Sequence, residues 1–343
     1  MSTIWRAVRQ SAVGIFLILV ISAVLLVSDL GQRKTASSAA PRVTSGRRIK
    51  AGVVYFARDI GTDLCVQGMV DGLKASGFVE GTNLEVQRTD AQGEMTNIPA
   101  MLQNYDNSDV DVILTVTTPV LTAAGNLVKH KPVVFTCVTD PVAAGAGKTS
   151  TDHLPFVTGV GSFPPVARTL EIMRKLVPSI RAVGVIYNPA EANSVKEISV
   201  AREIYQQSGI RLEEVAITSS SEVLQSVQIL AGKNVQAVLV PGDNTAIQGF
   251  EAAAKGATDA RVPLFTEECE TLDRGAVACV GVGLHQAGLA AGRLAGRVLA
   301  GTNPKDLPME EVAVEEIRIS RKRAEQFGIA VPPDLAGSVR NDQ

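Results

Sequence analysis

Asn188, Glu191, Asn193 and Ser194 crowd into residues 183–195 (VGVIYNPAEANSV), directly after an apolar run and directly before a helical one. Open α/β sheets bind ligands at strand C-terminal ends, so amides, a carboxylate and a hydroxyl gathered there suit a small polar solute. Other strand ends carry the same residue types. Arg58, Asp59 and Asp63 follow the first apolar run, Thr117 and Thr118 another, and Thr139 and Asp140 a third. Later in the chain come Asp243 and Asn244, and then Glu267 with Glu268. Hydroxyls and helix N-terminal amides hold an anion, and carboxylates hold an ammonium or a hydroxyl, so the set can take both ends of a zwitterion or polyol. The same residue types are also ordinary N-caps and turn formers. Ser194, with helix following at once, and Thr118, before Pro119, both fit a cap.

Residues that would transform a solute are missing. The loop Gly145-Ala146-Gly147-Lys148-Thr149-Ser150 ends like a phosphate-binding loop, but Val142 stands where the first glycine belongs, and no helix pattern follows. There is no GxSxG elbow and no HExxH. Glu267, Glu268 and Glu270 form a charge run, with Glu267 at a strand end able to face a cleft. Three scattered histidines and four cysteines without a CxxC pair give no metal-ligand spacing, so neither metal nor cofactor is expected. Cys269 and Cys279 either pair in an oxidising compartment or stand as small buried hydrophobes. A net charge of -2 and an aromatic content of 4% exclude a nucleic-acid surface.

The elements that must position these groups alternate regularly. Strands are predicted at residues 51–55, 84–87, 112–116, 133–136, 182–187, 212–216, 237–240, 264–266 and 276–280. Helices are predicted at 66–76, 97–104, 120–129, 165–176, 194–208, 220–230 and 245–255. Continuous Val/Ile/Leu strands joined by crossover helices imply parallel sheets covered on both faces. The rhythm occurs once before residue 160 and again after it, so two similar halves joined near residues 159–165 would enclose a cleft that closes on a ligand. Ahead of them, residues 11–27 (SAVGIFLILVISAVLLV) are uncharged and follow Arg6 and Arg9, as in a signal peptide or membrane anchor. Residues 31–48 read as a tether.

At this point the residues resemble a known family. Residues 50 to about 330 resemble the ABC-transporter substrate-binding proteins of the tryptophan/tyrosine type, which have the type I periplasmic-binding-protein fold. The resemblance rests on residues 71–81 (DGLKASGFVEG), 133–143 (VVFTCVTDPVA), 187–194 (YNPAEANS), 240–245 (VPGDNT) and the helix 287–301, in family order. It implies two Rossmann-like lobes with parallel sheets: residues 49–162 plus 284–307 in lobe one, and 163–283 plus 308–343 in lobe two. It further implies an extracytoplasmic, non-enzymatic receptor, monomeric or dimeric, that presents a small solute to an ABC permease. A sensor ectodomain without transport is the alternative. The expected ligand contacts are Arg58, Asp59, Thr117, Thr118, Thr139, Asp140, Asn188, Glu191, Ser194, Asp243, Asn244 and Glu267. For an amino-acid ligand, possibly aromatic, Asp243 takes the ammonium, and Thr118 with Ser194 the carboxylate. Gly283-Leu284 stand where members often carry Asp-Tyr, and the loop 56–64 introduces Arg58, whose guanidinium suits a carboxylate.

Overall fold

Two sheets carry the chain, and every strand-to-helix turn that matters for ligand binding lies where they face each other. The structure, a computed structural model, describes residues 47–312 and 314–341; the apolar run at 11–27 and its expected helix lie outside them. No helix among the described residues is long and apolar enough to cross a membrane.

The first lobe begins β1 (Ile49–Tyr55), α1 (Ile60–Ala75), β2 (Leu84–Asp90), α2 (Ile98–Asp106), β3 (Val112–Val116), α3 (Thr118–Leu127), β4 (Val133–Val138) and β5 (Val157–Gly161). The second runs α4 (Val166–Leu176), β6 (Ala182–Tyr187), α5 (Ala192–Gln207), β7 (Arg211–Ala216), α6 (Val223–Gly232) and β8 (Ala237–Val240). It continues with α7 (Asn244–Gln248), α8 (Phe250–Asp259), β9 (Leu264–Thr266) and β10 (Ala278–Val282). The chain then returns as α9 (Leu284–Leu299) and β11 (Glu310–Glu311) to the first sheet, and ends with β12 (Glu315–Ser320), α10 (Arg321–Gln326) and β13 (Val339–Arg340) on the second. Pairing on the first sheet continues to Glu311, with β11 beside β5 through Glu310 and Val160.

The six-stranded sheet has the order β11-β5-β4-β3-β1-β2, all parallel. In the seven-stranded sheet, β13-β12-β10-β9-β8-β6-β7, only the β10–β12 pair is antiparallel. β1, β3, β6 and β8 bury almost every residue, as strands sandwiched between helix layers must. Val134 and Val160 face one core layer of the first lobe, and Val133 and Val157 the other.

The returning helix α9 packs along α1 through glycines. A Cβ on Gly288 would lie 2.0 Å from the Cys65 carbonyl oxygen, and one on Gly292 would lie 2.1 Å from that of Met69. Gly68 and Gly72 answer from α1 against the backbone of His285 and Leu289. Side chains on this seam would force the helices apart, so the small residues set the interhelical distance. A Cys65–Cys137 disulfide ties α1 to the end of β4, and Cys269 pairs with Cys279. The first pair escapes the sequence because its partners are 72 residues apart and meet only through the sheet topology.

Candidate functional site

Where the two lobes face each other, a cleft of about 670 Å³, its mouth included, is lined from both sides. Lobe one supplies Asp59, Gly61, Thr117, Thr118 and Thr139; lobe two supplies Asn193, Asn244, Glu267 and Glu268. Ser162, Val282 and Leu284 line it at the crossing strands.

On the lobe-one wall, Asp59 caps α1. Its Oδ1 accepts from the Thr62 amide at 2.8 Å, and the Thr62 hydroxyl accepts from the Asp59 amide at 2.9 Å. This capping box fixes the helix start beside the cleft. Thr117 sits at φ 81, ψ 157, a region that β-branched residues rarely occupy, at a cost of order 1–3 kcal/mol. Cys137 on the neighbouring strand also has positive φ, 53°. Backbone strain at two adjoining strand ends marks this wall as the place where geometry is enforced. The Thr117 hydroxyl is buried without a partner, whereas Thr118 Oγ1 accepts from the Thr139 amide at 3.3 Å. Arg58 turns outward instead, pairing with Asp63 at 3.1 Å and lying over the Tyr55 ring, so no guanidinium enters the cleft. Asp140 accepts from the amides of Val142 and Ala143 and pairs at the rim with Lys196 of the other lobe at 3.5 Å.

On the lobe-two wall the expected residues divide. Asp243 is wholly buried, and its carboxylate takes the Asn188 amide at 2.6 Å, the Ser194 hydroxyl at 2.5 Å and the Ala246 amide at 2.7 Å. Burial and nearby Glu191 push its pKa up to about 7, against those donors. Glu191 Oε1 accepts from the amide and hydroxyl of Thr245, and its Oε2 from the amide and side chain of Asn244. Asn188 donates from Nδ2 to Thr245 Oγ1 and accepts from the Ala190 amide. Asn188, Glu191, Ser194 and Asp243 therefore bind the loop after β6 to the loop after β8, behind the wall. Asn244 and Glu267, with Asn193, form the surface itself. Asn193 donates to the Gly242 carbonyl at 2.8 Å and to Glu191 Oε2, two acceptors that fix its amide orientation and leave Oδ1 buried without a partner. Asn193, which the sequence places with these loop residues but outside the expected contacts, lines the cleft from the first turn of α5.

Glu267 Oε1 accepts from the Thr169 hydroxyl at 3.0 Å. Beside it, burial, Glu267 and Asp243 raise the pKa of Glu197 well above its ordinary value, and burial raises that of Glu267. Glu268 makes no side-chain hydrogen bond or ion pair among the described residues; burial, Glu270, Asp59 and Glu267 all push its pKa upward. Glu267 is buried and Glu268 half-buried, both lining the cleft, a placement that the charge run in the sequence does not show.

A family described as ABC transporter substrate binding protein matches residues 50–340. The chain belongs to that family. It is similar to the tyrosine-binding protein of Clostridioides difficile (strain R20291), with 29% identity over 88% of this chain and 89% of the relative. Among solved structures it is similar to an ABC domain of Streptococcus pneumonia in complex with L-Trp, with a TM-score of 0.82, 25% identity, and 85% and 100% of the two chains covered. It is also similar to the ligand-free, open structure of a Clostridium difficile substrate-binding protein with adhesive properties, with a TM-score of 0.66, 28% identity, and 86% and 100% covered. As a substrate-binding protein the chain is extracytoplasmic, takes a small solute and works with an ABC permease. Family membership makes it a binding protein by descent, and the two lobes are those of periplasmic binding proteins.

Proposed function

We propose that the cleft captures an α-amino acid, with tyrosine and tryptophan first in order, and that the chain is held at the membrane by residues 11–27 while it delivers this solute to its permease. The carrying observation is that both lobes line one cavity with residues that hold a buried, unpartnered polar atom, Thr117 with its Oγ1 on one side and Asn193 with its Oδ1 on the other. Such atoms lose hydration on closure and regain hydrogen bonds only from a ligand. The relatives that bind tyrosine and L-Trp support the class. In this reading the ligand carboxylate lies against the Thr117 and Thr118 hydroxyls at the N-terminus of α3, where the helix dipole favours an anion. Thr139, Asn244, Asp59 and Glu267 complete the contacts. Arg58, Asp140, Asn188, Glu191, Ser194 and Asp243 shape or close the cleft without touching the solute.

A thermal-shift screen of the purified chain against the amino acids tests this reading. Ligand at 100 times its Kd adds about 2.7 kcal/mol of stability, a shift of several degrees. A flat response to tyrosine and tryptophan refutes the aromatic assignment, and a flat response to every amino acid refutes the class.

A further inference from the structure

Asp59, Glu267 and Glu268 line the cleft, and among the described residues no lysine, arginine or histidine does. Two of these carboxyls face each other from opposite lobes. A Cβ placed on Gly61, in the first turn of α1, would lie 3.3 Å from Asp59 Oδ1 and 3.3 Å from Glu268 Oε2, with Leu284 Cδ1 at 3.1 Å. The bare glycine leaves this space open, and the carboxyls border it. Asn193, 2% exposed and with its Oδ1 buried without a donor, lines the same cavity.

We propose that a primary ammonium of the ligand is held between Asp59 of lobe one and Glu268 of lobe two, above Gly61, and that this clasp draws the lobes together. The proposal rests on the reading of the cleft as an amine-bearing solute site, and moves the ammonium contact from Asp243, whose oxygens are spent on Asn188, Ser194 and Ala246, to Glu268. Closure of an empty cleft brings like charges together, which is unfavourable unless a proton or a cation intervenes. A cation from the ligand neutralises both carboxylates at once, and its remaining N–H groups have acceptors in Asn193 and Glu267. Charge-assisted hydrogen bonds of this kind are the strong ones, and their loss is correspondingly costly. The surroundings agree: burial, and then the charges of Glu270, Asp59 and Glu267, push the Glu268 pKa up, while Arg318 pairs with Glu270 and Glu316.

Isothermal titration calorimetry of the full chain with L-tyrosine, L-tryptophan, N-acetyl-L-tyrosine and L-lysine tests the clasp. N-acetylation is expected to weaken tyrosine binding at least about 100-fold, and Glu268→Gln to weaken every amine at least about tenfold, while its unfolding temperature stays at or above that of the parent. Gly61→Val, which fills the space without changing charge, is expected to abolish binding with helix content preserved. If N-acetyl-L-tyrosine binds within tenfold of tyrosine, or Glu268→Gln binds unchanged, the clasp is wrong and the amino-acid reading stands. If lysine binds, aromatic amino acids do not, and Glu268→Gln loses lysine, the clasp stands and the aromatic reading falls. A folded chain that binds none of these amines overturns the clasp.

Discussion

Glu191 gives the sharpest test of how the lobe-two wall is built. Replacing it with glutamine keeps the shape and removes the charge, but converts one oxygen into a donor. If Oε1 becomes the amide nitrogen, the Thr245 amide and hydroxyl lose their acceptor, which lies at 3.1 and 2.7 Å in the parent. If Oε2 does, the Asn244 amide at 3.2 Å and its side chain at 2.5 Å lose theirs, together with Asn193. Either rotamer strands at least two donors, one of them a backbone N–H, in a region where Glu191 itself is 1% exposed. At about 1–3 kcal/mol for each of two buried unsatisfied groups, Glu191→Gln costs about 2–6 kcal/mol. For a lobe of ordinary domain size, at about 2–4 °C per kcal/mol, this is a fall of roughly 4–24 °C in Tm. Urea denaturation followed by circular dichroism, with the m-value checked for constancy, measures it directly. A loss below about 1 kcal/mol would refute the reasoning, and would return Glu191 to the set of candidate ligand contacts.

Three further outcomes are expected. Gly288→Val drives side-chain carbon into the Cys65 carbonyl, 2.0 Å from the new Cβ, and lowers stability by about 3 kcal/mol, measured by the same denaturation. Cys65→Ser with Cys137→Ser opens a loop with a sequence separation of 72, and costs up to about 4 kcal/mol on the chain-entropy account; calorimetry that finds no change refutes it. Glu197 keeps its proton in the folded chain at pH values where the unfolded chain has released it, so the folded state binds more protons and stability falls as pH rises from about 5 upward. Glu197→Gln removes this contribution, and its stability-versus-pH profile should be flatter than the parent's on the alkaline side; parallel profiles contradict the assignment.

Much of the fold is legible because it depends on local pattern. β1, β3, β6 and β8 read as continuous apolar runs, and parallel sheets require such runs. Short or polar edge elements are another matter. β5 (VTGVG) is rich in glycine, and β11 is two glutamates, so both owe their strand form to the neighbouring chain and not to their own residues. The site divides in the same way. Strand-end position identifies Thr117, Asn244 and Glu267, but only tertiary contacts separate the side chains that face the cleft from those, such as Asp243 and Asn188, that brace the loops behind it. Polar residue type is the same in both roles. Arg58 shows the limit most plainly: Asp63, five residues on, captures a guanidinium that its loop position offered to the ligand. Glu268 was hidden inside a charge run that the 3-10 turn after β9 partly folds inward.

Native mass spectrometry of the full chain, as purified and after incubation with tyrosine or tryptophan, tests the central claim most directly. Solute capture between two lobes predicts one small amine-bearing molecule per chain, retained on the folded protein and released on unfolding. A folded chain that carries the mass of the polypeptide alone under every condition would contradict it.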